Sequence, residues 1–219
     1  MTERATTDGR ADIPADMRPT DDDPFELWHR WLADAVAAEM AEPTAAVVST
    51  VDETGAPDAR FVLVREVDAD GFVFYTNLQS AKSRQLAHEP RASLVFGWLA
   101  MQRSVRVRGR VALVDGARAD AYWNGRPRGS QLSAWASAQS NEVDRRRVLE
   151  PAVAELDDRY TGTSLPRPDF WGGWKLTAES IEFWHGRPNR LHDRIIWRMS
   201  PRVAGAPPMP QWTWARLAP

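Results

Sequence analysis

The chain has 219 residues, 43% of them hydrophobic, with a formal net charge of -2 and a pI near 6.1. That balance excludes an overall basic field for nucleic acid or a membrane surface, and the lack of cysteine excludes disulfides, thiolate catalysis and zinc–cysteine clusters. With no run of membrane-spanning length and no secretory h-region, a cytoplasmic protein with one core-forming domain is expected, and any anion site has to be local.

Residues 1–23 are polar and charged, too poor in large apolar side chains to order themselves, and are expected to form a mobile tail ahead of one domain over 24–219. In "DPFELWHRWLADAVAAEM", Asp23 suits a helix cap, Pro24 the first helical position and Glu26 a capping box. Trp28, Trp31, Leu32, Ala35 and Val36 then make one apolar stripe. The period changes after Pro43. "AAVVSTV", "RFVLVREV" and "GFVFYTN", separated by Asp/Gly turns, predict an antiparallel meander. A short helix over "SAKSRQLAHEP", strands over "RASLVFGW" and "SVRVRGRVALV", and helices over "ARADAYWNGRP" and "NEVDRRRVLEPAVAELDDRY" follow. Strands over "ESIEFWHG", "RLHDRIIWRM" and "WTWARLAP" close the chain, with "SPRVAGAPPMPQ" as a long loop. This order predicts a β-rich α+β fold, a barrel or sandwich carrying a few helices, and not a βαβ succession.

Four stretches carry candidate chemistry. In "TNLQSAKSRQL", Ser80 is a helix N-cap candidate and Lys82 sits in the first turn, where amide groups and the helix dipole favour an anion. Lys82 and Lys175 are the two lysines among 28 basic residues, so Lys82 is either a solvated surface lysine or part of an anion site. Arg60 and Arg65 flank "FVLV" and read as snorkelling, solvent-facing strand ends. Arg106, Arg108 and Arg110 alternate with valines and are assigned to a solvated face. Tyr122, Arg126 and Ser130, spaced at four, are consistent with one helix face before Pro127 and a turn beyond it, and fit either a phosphate clamp or a helix end with a capping arginine. In "NRLHDRIIW", strand alternation places Arg190, His192 and Arg194 on one face with Asp193 opposite. That favours a site, with His192 as proton acceptor or hydrogen-bond partner. His29, His88, His185 and His192 have no metal-ligand spacing, so no metal is expected.

Together, "RFVLVRE", "GFVFYTN", "SAKSRQL", "NGRPRGSQLSAWASAQS", "LPRPDFWGGW", "IEFWHGRPNRLHDRIIW" and the terminal "RLAP" resemble the pyridoxine/pyridoxamine 5'-phosphate oxidase family, over nearly everything from Pro24 to Pro219. The resemblance implies an FMN-binding split β-barrel that forms a homodimer with FMN at the subunit interface. It implies that Arg60, Tyr75, Thr76, Lys82, Gln139, Ser140, Trp184 and Arg194 contact FMN. Arg65, Tyr122, Arg126 and Ser130 then clamp a substrate phosphate, and Arg190 and His192 act over the substrate ring.

Four positions depart from the family pattern: Arg65 replaces a lysine, Ala81 a second phosphate-binding arginine, Ser104 a glutamine and Ser133 a glycine. The leading reading is oxidation of pyridoxamine or pyridoxine 5'-phosphate to pyridoxal 5'-phosphate, with oxygen as acceptor and hydrogen peroxide released. The alternative is a secondary-metabolism FMN oxidase of the same family, such as one that aromatises dihydrophenazines. A third is a non-catalytic flavin-binding barrel. The expected partners are a phosphorylated small molecule, oxygen and a second copy of the chain, with no nucleic acid and no membrane.

Overall fold

The structure, a computed structural model, describes residues 13–18, 23–69, 71–200 and 212–219. Helix α1 (Pro24–Ala37) begins as the sequence predicts, with Asp23 accepting from the Phe25 amide at 2.9 Å. Its buried stripe is Phe25, Leu27, Trp28, Trp31 and Ala35, while Val36 is 57% exposed and off the core. Ile13 and Met17 lie inside the stretch expected to be a mobile tail, yet they are 2% and 0% exposed. The Trp31 indole donates to the Asp16 carbonyl at 2.7 Å, so contacts from α1 provide the ordering that local composition does not. Residues 1–12 and 19–22 lie outside the described residues.

Strands β1 (Ala45–Val51), β2 (Pro57–Asp68) and β3 (Gly71–Asn77) form the predicted meander, followed by α2 (Ala81–His88), β4 (Arg91–Trp98) and β5 (Arg103–Leu113). Helices α3 (Gly116–Asn124), α4 (Arg128–Ala136) and α5 (Leu149–Arg159) come next. Strands β6 (Trp171–His185), β7 (Asp193–Met199) and β8 (Trp212–Arg216) end the chain. The sheet runs β3-β2-β1-β4-β5-β6-β7-β8, all antiparallel, and an additional β3–β6 pairing closes six strands into a barrel that leaves β7 and β8 outside.

Strand β6 makes that split possible. Its first half pairs with β3 and its second with β7, while β5 follows it for most of its 15 residues. The β5–β6 register shifts at Arg108/Gly109, and a side chain at Gly109 would put its Cβ 1.9 Å from the Thr177 carbonyl oxygen, so this bend requires glycine. Inside the barrel Trp28 packs edge-on to Phe72 and Phe96, and Trp31 to Phe183. Val105, Val107 and Val111 face the same core. Arg106, Arg108 and Arg110 face outward as predicted, Arg106 paired with Glu182 and Arg110 3.6 Å from Glu179.

Three local expectations change. The helix expected over 141–160 occupies only Leu149–Arg159 after a 3-10 turn at Arg146–Val148, because Pro151 has no N–H and fits only a first turn. Where a turn was expected beyond Pro127, α4 forms, and β6 starts eight residues ahead of Glu179, at Trp171. All but the first residue of the Pro-rich "SPRVAGAPPMPQ" stretch lies outside the described residues.

Candidate active site

One half of the predicted site gathers at the start of α2. The Ser80 hydroxyl donates to the Asn77 carbonyl at 2.7 Å and does not cap the helix amides. Lys82, only 8% exposed, donates through Nζ to Thr76 Oγ1 at 3.1 Å, Ser80 Oγ at 3.3 Å and Gln139 Oε1 at 3.0 Å. The chain beyond α4 delivers Gln139 and Ser140 to this point: Thr76 Oγ1 bonds Gln139 Oε1 at 3.1 Å, and the Ala81 amide donates to Ser140 Oγ at 3.2 Å.

No carboxylate pairs with Lys82 among the described residues. Burial, with a smaller push from the Arg60 cation, lowers its pKa to about 8. A buried ammonium with only neutral oxygen partners is costly until an anion joins it. Arg60, by contrast, is already engaged, paired with Asp58 and bonded to Gln85 Oε1 at 3.0 Å.

Beside this cluster lies an aromatic stack. Tyr75 and Tyr122 are parallel with ring centres 3.9 Å apart, and Trp171 continues the stack 5.6 Å from Tyr75. Gly173 lets β6 pass under the ring, since a Cβ there would lie 2.8 Å from Tyr75. The Tyr75 hydroxyl donates to Glu66, which Arg118 Nε holds at 2.7 Å; burial first, and then this carboxylate, raise the phenol pKa above its ordinary value. The partners Glu66 and Arg118 carry no signal in the sequence, because nothing in their spacing links them to Tyr75.

Arg126 sits 4.7 Å over the Trp171 ring and donates to the Ser130 carbonyl at 3.0 Å, a main-chain contact that leaves the Ser130 hydroxyl out. Burial and the nearby Arg65 charge both lower the Arg126 pKa, whereas Tyr122 raises it. Among the described residues neither Arg65 nor Arg126 has a carboxylate partner. Tyr75, Thr76, Arg126, Ser130, Gln139 and Trp171 all line one cavity of about 890 Å³. Ser133 also faces it, with its hydroxyl spent on the Gly129 carbonyl at 2.8 Å.

The other half is built differently from the strand face that alternation predicts. Arg190 lies in a 3-10 turn, Pro188–Arg190, and β7 begins only at Asp193, so Arg190, His192 and Arg194 do not share one face of a strand. Pro188 removes an N–H, and Asn189 and Arg190 take left-handed φ values of 57° and 62°, which cost on the order of 1–3 kcal/mol each and break the extended backbone. Leu191 is 70% exposed, whereas Ile195 and Trp197 are buried.

Arg194 pairs across the ladder with Trp184, reaches Glu182 Oε1 at 2.9 Å through Nε, and donates to the Ala218 carbonyl at 2.9 Å. The His192 ring lies 4.7 Å from Trp184, and its Nδ1 accepts the Arg187 peptide N–H at 3.1 Å. Ser104, one of the departures, sits opposite Trp184 on β5.

The two halves lie toward opposite ends of β6. A strand rises about 3.3 Å per residue, so the path from Trp171 to Trp184 covers at most roughly 40 Å.

The split barrel thus carries a buried lysine at a helix start toward one end of β6 and an Arg/His/Trp cluster toward the other. The sequence comparisons give the family. Residues 32–160 match the pyridoxamine 5'-phosphate oxidase family model and residues 171–219 match the pyridoxine 5'-phosphate oxidase C-terminal dimerisation region, so the chain belongs to the pyridoxine/pyridoxamine 5'-phosphate oxidase family. The chain is 49% identical over 198 residues to a pyridoxine/pyridoxamine 5'-phosphate oxidase of Synechocystis, covering 90% of this chain and 89% of that one. It is 48% identical to one of Azorhizobium caulinodans over 199 residues, covering 90% and 91%. Among solved structures, PhzG from Burkholderia lata, in complex with tetrahydrophenazine-1-carboxylic acid, superposes with a TM-score of 0.82 at 28% identity, covering 97% of this chain and 96% of that one. A pyridoxamine 5'-phosphate oxidase-related, FMN-binding protein of Nostoc punctiforme shares the fold, with a TM-score of 0.68 at 16% identity over 88% of this chain and 97% of that one. The dimerisation region fits a homodimer. No helix among the described residues is long and apolar enough to cross a membrane.

Proposed function

We propose that the chain is an FMN-dependent oxidase that converts pyridoxamine or pyridoxine 5'-phosphate to pyridoxal 5'-phosphate, with oxygen as acceptor and hydrogen peroxide as the second product. The observation that carries the choice of substrate is Arg126, which lines a cavity of about 890 Å³ together with Ser130 and feels the nearby Arg65 charge, neither guanidinium having a carboxylate partner among the described residues. Cations that raise each other's cost are best relieved by a dianion, and a phosphate monoester supplies one. The alternative, a phosphate-free dihydrophenazine substrate, draws support from the likeness to PhzG and from Ser104 and Ser133, but it leaves both guanidiniums uncompensated.

Buried, carboxylate-free Lys82 at a helix start fits the terminal phosphate of FMN. Thr76, Gln139 and Ser140 would share that role, with Arg60 beside them and Tyr75 against the ring system. When bound, FMN supplies a hydride acceptor that oxygen can reoxidise. The protein's part is to bind and orient. Arg65, Arg126 and Ser130 hold the substrate phosphate, and the Tyr122–Tyr75 stack fixes the wall beside it. Because Trp184, with Arg194 paired to it and the Arg190–His192 turn following it, stands at the end of β6 away from Trp171, each complete site takes one half from each copy of a homodimer. Arg190 and His192 address the substrate ring and Arg194 the flavin. With Nδ1 accepting a peptide N–H, the neutral His192 ring carries its proton on Nε2, which makes it a hydrogen-bond donor to substrate and not a base at that atom.

Hydrogen peroxide release measured with pyridoxamine 5'-phosphate, pyridoxine 5'-phosphate and a dihydrophenazine acid tests the reading. Turnover of a phosphorylated vitamer is expected, and turnover of the dihydrophenazine acid alone would replace this substrate with the alternative. The purified protein is expected to be yellow and to release FMN, not FAD, on denaturation.

A further inference from the structure

Neither Arg187 nor Asp16 has a part in the chemistry above, yet both sit at the base of the loop that carries Arg190 and His192. The Arg187 guanidinium donates from Nε to Asp193 Oδ2 at 2.7 Å and from Nη2 to Asp16 Oδ1 at 3.5 Å, while its peptide N–H donates to His192 Nδ1. Arg216 Nη1 takes the other oxygen of Asp193 at 3.0 Å. Asp16 itself is a hub: Oδ2 lies 2.7 Å from His185 Nδ1 and 3.5 Å from Arg103 Nη2, and Arg103 Nη1 reaches Asp34 at 2.6 Å. That short contact is a close approach of charge-bearing groups and not an aligned hydrogen bond, since the buried His185 Nδ1 has no hydrogen-bond partner among the described residues. Burial, then the Arg187 and Arg103 charges, keep its pKa below the usual histidine value against the pull of Asp16. The segment 13–18 is thereby joined to β5, β6 and the catalytic loop, with Ile13 and Met17 seated in the core behind it.

Two consecutive non-glycine residues in left-handed conformations, Asn189 and Arg190, persist only where the surrounding chain holds them. The Arg187–Asp193 bridge closes that loop across six residues. A peptide N–H can only donate, so the Arg187–His192 contact selects one tautomer of the ring.

We propose that Arg187 is a positioning residue for the site. Its peptide N–H and its guanidinium, held by Asp193 and Asp16, fix His192 with Nδ1 as acceptor and Nε2–H toward the substrate, and latch the loop to residues 13–18. This rests on the proposed role of His192. Arginine suits the place because its fork spans two carboxylates at once, which an ammonium on a flexible stem does not hold in one geometry.

The test is nitrogen NMR of flavin-loaded protein labelled with ¹⁵N-histidine, with the His192 signals assigned by their loss in His192→Gln, run beside steady-state kinetics. The parent is expected to show an unprotonated Nδ1 and a protonated Nε2 at His192. In Arg187→Ala the two tautomers should mix and kcat/KM should fall by about ten- to a hundredfold, at unchanged flavin content. Arg187→Lys should recover thermal stability without recovering the tautomer, and Asp16→Asn should give a smaller loss in the same direction. If Arg187→Ala does not fold, Arg187→Lys decides. An unaltered tautomer with parental kcat/KM in the folded variant overturns the proposal. Full activity of His192→Ala would instead overturn the role of His192 in the proposed reaction, while the tautomer measurement would still decide what Arg187 does.

Discussion

The two ends of β6 show two ways of holding charge. At the Trp171 end, Lys82 is buried and interlocked with Thr76, Ser80 and Gln139, and its charge awaits an anion. At the Trp184 end the cations are already compensated: Arg194 by Glu182, Arg187 by Asp193 and Asp16. Arg190, in its strained turn, is exposed in the single chain. The first half is preformed within one subunit. The second is a braced rim, which the proposed function sets against a ligand held by another subunit.

Mixing two impaired variants, assayed at substrate well below the parental KM, puts most strain on that comparison. Arg126→Ala breaks one half and His192→Ala the other, so a hybrid dimer keeps one intact site. Refolding an equal mixture should raise activity from near background to about a quarter of the parental level, because half of the dimers are hybrids with one working site each. No recovery would place both halves in the same subunit's site.

Single substitutions sharpen the division. Arg190→Ala and His192→Ala should each lower kcat/KM by about thirty- to a thousandfold, on the order of 2–4 kcal/mol, with flavin retained. Arg194→Ala should weaken flavin retention instead. Flavin absorbance against turnover checks all three, and flavin loss in His192→Ala with retention in Arg194→Ala would reverse the assignment. Arg126→Ala should raise KM for a phosphorylated substrate by about ten- to a hundredfold at near-normal flavin content.

The smallest effect is a pH slope. With its pKa lowered to about 8, Lys82 in the flavin-free protein loses its charge as pH rises through that value. Binding a phosphate then requires taking up a proton, and flavin affinity should fall by about tenfold per pH unit above about 8. Without flavin the sign is opposite for stability. The unfolded chain binds more protons between about 8 and the ordinary lysine value, so stability should rise with pH across that window. Fluorescence titration of flavin against pH, with Lys82→Arg as the slope-free control, measures the first of these.

Much of the Trp171-end half was legible. Lys82 stands out as one of two lysines, at a helix start, whereas the single helix face suggested by the spacing of Tyr122, Arg126 and Ser130 does not form, because α3 ends at Asn124 and Ser130 belongs to α4. The Trp184-end half is not the strand face that alternation in "NRLHDRIIW" predicts, because the sequence does not display the left-handed turn at Asn189 and Arg190. The start of β6 was missed because glycines 172 and 173 suppress strand propensity. Their purpose, passage beneath Leu78 and Tyr75, exists only once the sheet is assembled.

The sequence by itself determined the antiparallel meander, the α1 cap, the outward arginines of β5, and the family, because each is written in local periodicity or in contiguous motifs. Tertiary structure alone decided that β3 pairs with β6 to close the barrel, that Ile13 and Met17 belong to the core, and that Asp16 meets Arg187 across 171 positions of chain. Such contacts depend on where the chain returns in space, and neither propensity nor spacing encodes a return.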